Sequence, residues 1–252
     1  MTGARDLEGW ELNVLGVYDI VSPHPTTGLE AWFEFLRSSS DVPGDIGEFG
    51  VFRGRSLLGA ALLLEGLGDP RHVVGFDTFG GFPATSPEDD PSQFERMAED
   101  GRIDAEHLDR VRRNAAHLAV VGRSLDPRAS STSGAFTDTS REAIERKAEH
   151  LGVRERITLY EGEFRDSLAH PENAARRWSG VLLDADLFDG YAAVLPEVHD
   201  RMSPGGMIYL DEYYSLKFPG PRLAVDAFCA ERGIRPTLLR RDGAFERWAI
   251  LT

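Results

Sequence analysis

Met202-Ser-Pro-Gly-Gly-Met-Ile-Tyr-Leu-Asp211-Glu212 is the stretch that decides the fold of this chain. It reads as a helix end, a Pro-Gly-Gly turn, a short apolar strand at 207–210, and two adjacent carboxylates where the strand stops. A second strand, Gly180-Val-Leu-Leu-Asp184-Ala-Asp186, ends in the same way. In an open α/β sheet, ligands bind in the crevice at the carboxyl ends of the strands. Carboxylates at that address are costly unless something cationic or protic meets them. Asp184, Asp211 and Glu212 therefore point to a divalent-metal site. Hard oxygen donors select Mg²⁺ or Ca²⁺, and Mg²⁺ would keep positions for water or substrate. The plain alternative is a set of unrelated strand-end acids satisfied by helix caps or arginines.

Outward from these strands a rhythm is legible. Strands are expected at 45–49, 72–76, 157–160, 181–183 and 207–210, with helices at 56–65, 191–202 and 222–232. Alternation of this kind implies a parallel sheet covered on both faces. Segments 237–240 and 247–251 flank Asp242-Gly243, a hairpin signal that would add an antiparallel edge pair. Residues 1–44 form an N-terminal extension, helical or irregular, broken at Ser22-Pro-His-Pro25 and carrying a short amphipathic helix at 31–36. Residues 80–156 interrupt the rhythm between strands two and three, far beyond an ordinary connection. Parts of this insertion read as helical, at 105–118 and 141–151, and 128–135 is of low complexity. A decorative surface insertion is possible, but it leaves from the ligand-binding edge of the sheet, which favours a lid. The expectation is one domain over 1–252.

Composition narrows the partners. The net charge is −14, from 42 acids against 28 bases, which argues against a nucleic-acid backbone and against anionic lipid. Its simplest meaning is solubility through self-repulsion. The single cysteine, Cys229, permits no disulfide within the chain, so a reducing cytoplasm fits. Residues 1–10 lack an apolar core, so no secretory signal is expected there, and the longest apolar run, 57–64, is too short to cross a bilayer.

Three further features carry chemistry. Gly47-Glu-Phe-Gly-Val-Phe-Arg-Gly-Arg-Ser56 joins the first strand to its helix. Glycines there let backbone approach a ligand, Ser56 can cap the helix, and the helix N-terminus offers free N–H groups. The loop does not match the Gly-x-Gly-x-x-Gly dinucleotide fingerprint, and a ligand-free strand–helix turn is its plain alternative. Asp77 closes strand two, where an acid can take both hydroxyls of a ribose; a turn or cap acid is the alternative. Phe79 and Phe82 can pack beside a nucleoside or simply fill the core. The seven histidines are scattered, and although His107 or His117 of the insertion can serve as a general base, nothing singles one out. No Gly-x-Ser-x-Gly elbow or Gly-Lys-Ser phosphate loop is present.

Asp45-Ile-Gly-Glu-Phe-Gly-Val-Phe-Arg-Gly54, Phe76-Asp-Thr-Phe-Gly-Gly-Phe-Pro83, Tyr160-Glu-Gly-Glu-Phe-Arg-Asp-Ser167, Leu182-Leu-Asp-Ala-Asp186 and Leu210-Asp-Glu-Tyr213 together resemble the macrocin O-methyltransferase family. The resemblance runs from about Asp45 to the C-terminus and rests on the order and spacing of five motifs. It implies a class I methyltransferase sheet of seven strands with the last antiparallel, S-adenosylmethionine and Mg²⁺ as cofactors, and methylation of a sugar hydroxyl on a glycosylated antibiotic. It implies that Glu48, Gly50, Phe52, Arg53, Gly54 and Ser56 surround the methionine part of the cofactor, with Asp77 and Thr78 on the ribose. Phe79 and Phe82 would lie near the adenosine, and Glu161, Gly162 and Phe164 would border the adenine. Asp184, Asp211 and Glu212 fall on the family's metal positions, and Asp184 would also touch the cofactor and accept the hydroxyl proton. An oligomer is implied as well. Two departures stand out: Asp211-Glu212 where the family often has Asp-Asp, and a longer insertion around 123–140. The rival readings are a catechol-type methyltransferase using the same metal, a nicotinamide-dependent oxidoreductase, and a binding protein that keeps only the fold.

Overall fold

Seven strands form one sheet in the order β3-β2-β1-β4-β5-β7-β6. The computed structural model describes residues 29–120, 122–130, 135–242 and 245–252. The strands are β1 (Asp45–Phe49), β2 (Val73–Asp77), β3 (Ile157–Glu161), β4 (Trp178–Leu183), β5 (Met202–Leu210), β6 (Thr237–Asp242) and β7 (Phe245–Leu251). The first five pair in parallel, and β7 pairs antiparallel with both β5 and β6. β4 is buried at every position, as expected of a parallel strand covered on both faces.

The helices are α1 (Glu30–Ser38), α2 (Arg55–Leu67), α3 (Gln93–Glu99), α4 (Ala105–Val120), α5 (Arg141–His150), α6 (Phe164–Ala169), α7 (Pro171–Ala174), α8 (Phe188–His199) and α9 (Gly220–Arg232). Side chains alternate between the two faces of the sheet. Ile46, Leu182 and Tyr209 pack with Trp32 and Leu36 of α1 and Leu57 and Leu64 of α2. Phe49, Val181 and Ile208 pack on the other face with Tyr191 and Leu195 of α8 and Val225 of α9. A smaller apolar cluster, Phe94, Met97, Ile103 and Val111, belongs to the insertion and meets Leu216 and Leu223. Among the described residues no helix is long and apolar enough to cross a membrane.

Three sequence expectations are revised. The helix expected at 191–202 is α8, which ends at His199, and Met202 already lies on β5. Pro204-Gly205-Gly206 is an irregularity inside β5 and does not turn the chain. Met202 pairs with Trp178 and Met207 with Gly180, so the strand carries extra residues between two register points. Gly205 takes φ +84° there, and its N–H donates to the Thr252 carbonyl at 2.6 Å. Finally, the two closing strands are longer than expected, Thr237–Asp242 and Phe245–Leu251; they form the expected antiparallel edge pair, with β7 beside β5 and β6 on the edge. The Gly243 corner of the expected hairpin and residues 1–28 of the N-terminal extension lie outside the described residues, as do residues 131–134 of the low-complexity stretch.

Strand order reverses between β1 and β4. Such a switch point opens a crevice beyond the carboxyl ends of the two strands. The acids at the ends of β4 and β5 stand beside it.

Candidate active site

A cavity of about 610 Å³ occupies this crevice. That volume suits a small-molecule or cofactor site. Gly50, Asp77, Asp184 and Asp186 line it from the strand ends, Phe164 and Arg165 from α6, and Gly190 and Ala193 from α8. Phe52, Phe82, Pro83 and Phe136 form an apolar wall. The Phe52 and Phe136 rings meet edge to face at 5.0 Å, and Phe82 lies 5.0 Å from Phe136. Phe136 belongs to the insertion, which therefore contributes to the wall.

The loop after β1 is shaped by its neighbours more than by free space for a ligand. A Cβ on Gly50 would sit 1.7 Å from the Asp184 carbonyl oxygen, and Gly50 has φ +96°. Glycine is required because the ends of β1 and β4 close on each other there. Gly54 caps α2 in the left-handed conformation and packs against Ile144. Ser56 does not cap α2. It lies inside the first turn, and its hydroxyl donates to Glu48 Oε1 at 2.7 Å. Glu48 is buried, and burial pushes its carboxyl well above the usual range despite that bond.

Asp77 holds the same loop. Its Oδ2 accepts from the Val51 and Phe52 N–H groups at 2.7 and 2.8 Å, and Oδ1 accepts from Phe79 N–H at 2.7 Å. A carboxylate oxygen has two acceptor positions, so Oδ2 is filled and Oδ1 keeps one. The expectation that both oxygens are open to two ribose hydroxyls is revised to a single open acceptor on Oδ1.

Of the residues expected around a cofactor, Gly50, Phe52, Asp77, Thr78, Phe82, Phe164 and Asp184 line the cavity. Glu48, Gly54 and Ser56 support the loop from beneath. Arg53 pairs with Asp138 of the insertion. Phe79 is buried in the core, Glu161 is exposed, and Gly162 N–H bonds the Asp77 carbonyl at 3.0 Å.

Asp184 and Asp186 line the cavity, and carboxylate oxygens of these two and of the buried Glu212 all lie within 4.8 Å of one another. Asp211 stands outside this trio. Asp186, with a left-handed backbone at φ +58°, joins Asp184 and Glu212, and Asp211 stays beside them: its charge raises Asp184 and its carboxyl bonds that of Glu212. Asp tolerates that conformation better than most residues. Sequence reading placed Asp186 at the strand end without giving it a role; its spacing of two from Asp184 was the available signal.

Burial pushes the Asp184 carboxyl up to about 7, with further help from the negative charge of Asp211. Burial first, and then the neighbouring acids, push Asp186 and Glu212 well above the usual range. Three shielded carboxyls, all raised by burial, are a fitting donor set for a hard divalent cation. Glu212 Oε2 accepts from the Tyr191 hydroxyl at 2.7 Å. Such an outer partner fixes how a ligand carboxylate points.

Among the described residues no histidine lines the cavity. His107 is buried, with Nε2 2.8 Å from the Ser215 carbonyl and its ring stacked on Tyr214 at 4.1 Å. A carbonyl accepts only, so Nε2 carries a proton. Burial holds the His107 pKa below its ordinary value. It fastens the insertion to the loop after β5. His117 is exposed on α4.

The chain matches the family described as Macrocin-O-methyltransferase (TylF) over residues 29–148 and 125–249. It is similar to the 8-demethyl-8-(2,3-dimethoxy-alpha-L-rhamnosyl)-tetracenomycin-C 4'-O-methyltransferase of Streptomyces olivaceus, 26% identical over 209 residues, 82% of this chain and 66% of that protein. It is similar to the mycinamicin III 3''-O-methyltransferase of Micromonospora griseorubida, 25% identical over 209 residues, 82% of this chain and 68% of that protein. The chain thus spans about two thirds of the length of these relatives. Its fold is similar to the solved structure of CalS11, a calicheamicin methyltransferase, with a TM-score of 0.59 and 25% identity, covering 88% of this chain and 77% of that one.

Proposed function

The chain belongs to the macrocin O-methyltransferase family, and from that premise we propose that it transfers the methyl group of S-adenosylmethionine to a sugar hydroxyl of a glycosylated small molecule. The observation that carries this reading is the cavity at the β1/β4 switch point, lined by Asp184 and Asp186 of a carboxylate trio. Relatives named for methylation of rhamnosyl-tetracenomycin and of mycinamicin support the sugar acceptor. The nicotinamide reading loses its ground with family membership.

Bound in the cavity, the donor would present an electrophilic methyl carbon on a positively charged sulfur. The carboxylates along the wall, Asp77, Asp184 and Asp186, favour a cation there. The one open acceptor of Asp77 would take a ribose hydroxyl. The apolar wall of Phe52, Phe82 and Phe136 would receive the flat or hydrophobic part of donor or acceptor and keep water away. The insertion that carries Phe136 would act as a lid.

Asp184, Asp186 and Glu212 would hold Mg²⁺, with Asp211 behind them. When bound, such a cation lowers the pKa of an oxygen it touches and orients it. Asp184 and Asp186 reach both the trio and the cavity wall, and we assign the hydroxyl proton to Asp184. The acceptor oxygen bonds the methyl carbon as the carbon–sulfur bond breaks, and the electron pair of that bond stays on sulfur. Placing oxygen and methyl in line is the main work asked of the rigid strand ends.

The test is methyl transfer from labelled S-adenosylmethionine to a panel of rhamnosylated products and catechols, with and without chelator. Transfer to a rhamnoside that stops in chelator and returns with Mg²⁺ is expected. Transfer to catechols alone would replace the sugar, and undiminished transfer in chelator would remove the cation.

A further inference from the structure

Tyr191 sits on α8 with no exposed surface, directly beneath the carboxylate trio. Its hydroxyl has three neighbours: the Leu183 carbonyl at 2.8 Å, Glu212 Oε2 at 2.7 Å, and the backbone N–H of Glu212 at 3.2 Å. A phenol has one proton to give. The Leu183 carbonyl already accepts from Asp211 N–H at 3.1 Å. A carboxylate is the stronger acceptor. The proton therefore belongs to Glu212 Oε2, while the oxygen accepts from the N–H of the same residue. Tyr191 grips Glu212 at both ends, backbone and carboxylate. Asp186 N–H adds a long contact to the same Oε2 at 3.4 Å. The Glu212 carboxyl also bonds the carboxyls of Asp184 and Asp211.

We infer that Tyr191 is a positioning residue for the cation site, locking the Glu212 carboxyl in place beside Asp184 and Asp186. This rests on the proposal above that the trio holds a divalent cation. The physical need lies in the ligand's length. A glutamate has one more rotatable bond than an aspartate, and ordering it costs conformational entropy each time a cation binds. A buried phenol that fixes the rotamer beforehand removes that cost from the binding step.

The test is Mn²⁺ binding by the full chain in the presence of S-adenosylhomocysteine, followed by electron paramagnetic resonance. Tyr191→Phe keeps the ring and removes the hydroxyl. Outer-partner changes of this kind weaken metal binding about 10–100-fold, and we expect a loss in that range with S-adenosylhomocysteine affinity unchanged within about two-fold. In a Glu212→Asp background, where the carboxylate is one methylene too short to meet the phenol, Tyr191→Phe should change Mn²⁺ affinity less than about two-fold. Equal losses in both backgrounds would assign the effect to packing and overturn the inference. Unchanged Mn²⁺ affinity in Tyr191→Phe would overturn it too, as would a variant that no longer binds S-adenosylhomocysteine. A wild-type chain that binds S-adenosylhomocysteine but no Mn²⁺ would instead remove the cation reading itself, and this inference with it.

Discussion

Gly50 carries an unusual demand for a residue with no side chain. Its N–H bonds the Phe76 carbonyl at 2.9 Å, and the preceding Phe49 carbonyl accepts Asp184 N–H at 2.9 Å. The residue is thus pinned between β2 and β4, and a Cβ would be driven into the Asp184 carbonyl. Gly50→Ala should cost about 1–3 kcal/mol from overpacking alone, with backbone strain added at φ +96°. It should also displace Asp184 and weaken S-adenosylhomocysteine binding. Urea unfolding and calorimetric titration check both, and a variant with wild-type stability would mean that the strand ends part freely. Asp184 itself gives the complementary prediction. Asp184→Asn keeps the shape and removes the proton acceptor, so turnover should fall by about 10²–10⁴. Affinity for S-adenosylhomocysteine should hold within a few-fold. Turnover within ten-fold of wild type would move the proton to another group, Asp186 being the nearest.

Among the elements, the insertion is tied to the sheet edge by polar contacts that span long stretches of chain. Asp89 Oδ1 accepts from Phe188 N–H at 2.8 Å, at the first turn of α8. A carboxylate suits a helix N-terminus, where N–H groups lack partners. The same oxygen packs where a Cβ on Gly220 would stand, at 2.1 Å, so the insertion, α8 and α9 meet at one point. His107, Arg110 and Asn114 of α4 make three more ties to Ser215, Tyr214 and Leu216. Asp89→Ala should remove about 1–3 kcal/mol by orphaning a buried N–H. Limited proteolysis should then cut within 80–156 sooner than in wild type, while the rest of the chain resists. Equal cutting would show that the α4 contacts alone hold the insertion. None of these ties was legible beforehand, because Asp89 and Phe188 are 99 positions apart and neither belongs to a local pattern. The five parallel strands were legible as short, mostly apolar runs alternating with helical patterns, two of them leading into acids at Asp184 and Asp211. Pro204-Gly205-Gly206 misled because a turn and a strand irregularity draw on the same residues. The order of β6 and β7 was hidden for a related reason: the pattern of 237–251 is the same whichever strand lies beside β5. At the site, the strand-end acids announced themselves, whereas the filling of Asp77 by backbone N–H groups depends on how the β1 loop curls.

For the molecule as a whole, stability should report on the acid cluster through pH. Glu48, Asp184, Asp186 and Glu212 all have carboxyls raised by burial, Asp184 to about 7. An acid raised in the folded state holds its proton longer there than in the unfolded chain. Stability is therefore lost as pH rises from the ordinary carboxylate range through the folded value. Two histidines work in the opposite sense. His72 and His107 are held low by burial, so they add stability as pH rises, a gain complete near the ordinary histidine value of about 6.5. Above about pH 7 His72 and His107 add no further change. The interval from about pH 7 to 8 lies above the histidine gain and below the range where Cys229, its thiol pushed up to about 11 by burial, begins to favour the unfolded chain. In chelator, the melting temperature should fall across that interval. Saturating Mg²⁺ should flatten the fall, because a cation bound only by the folded chain adds stability as RT ln(1 + [Mg²⁺]/Kd) and binds more tightly as the carboxylates ionise. Asp186→Asn should soften the slope in chelator, since it removes one member of the cluster. Differential scanning fluorimetry at several pH values, with and without Mg²⁺, decides the matter. A melting temperature that stays level or climbs in chelator would mean that these acids ionise freely in the folded chain, and the electrostatic case for a cation among them would be lost.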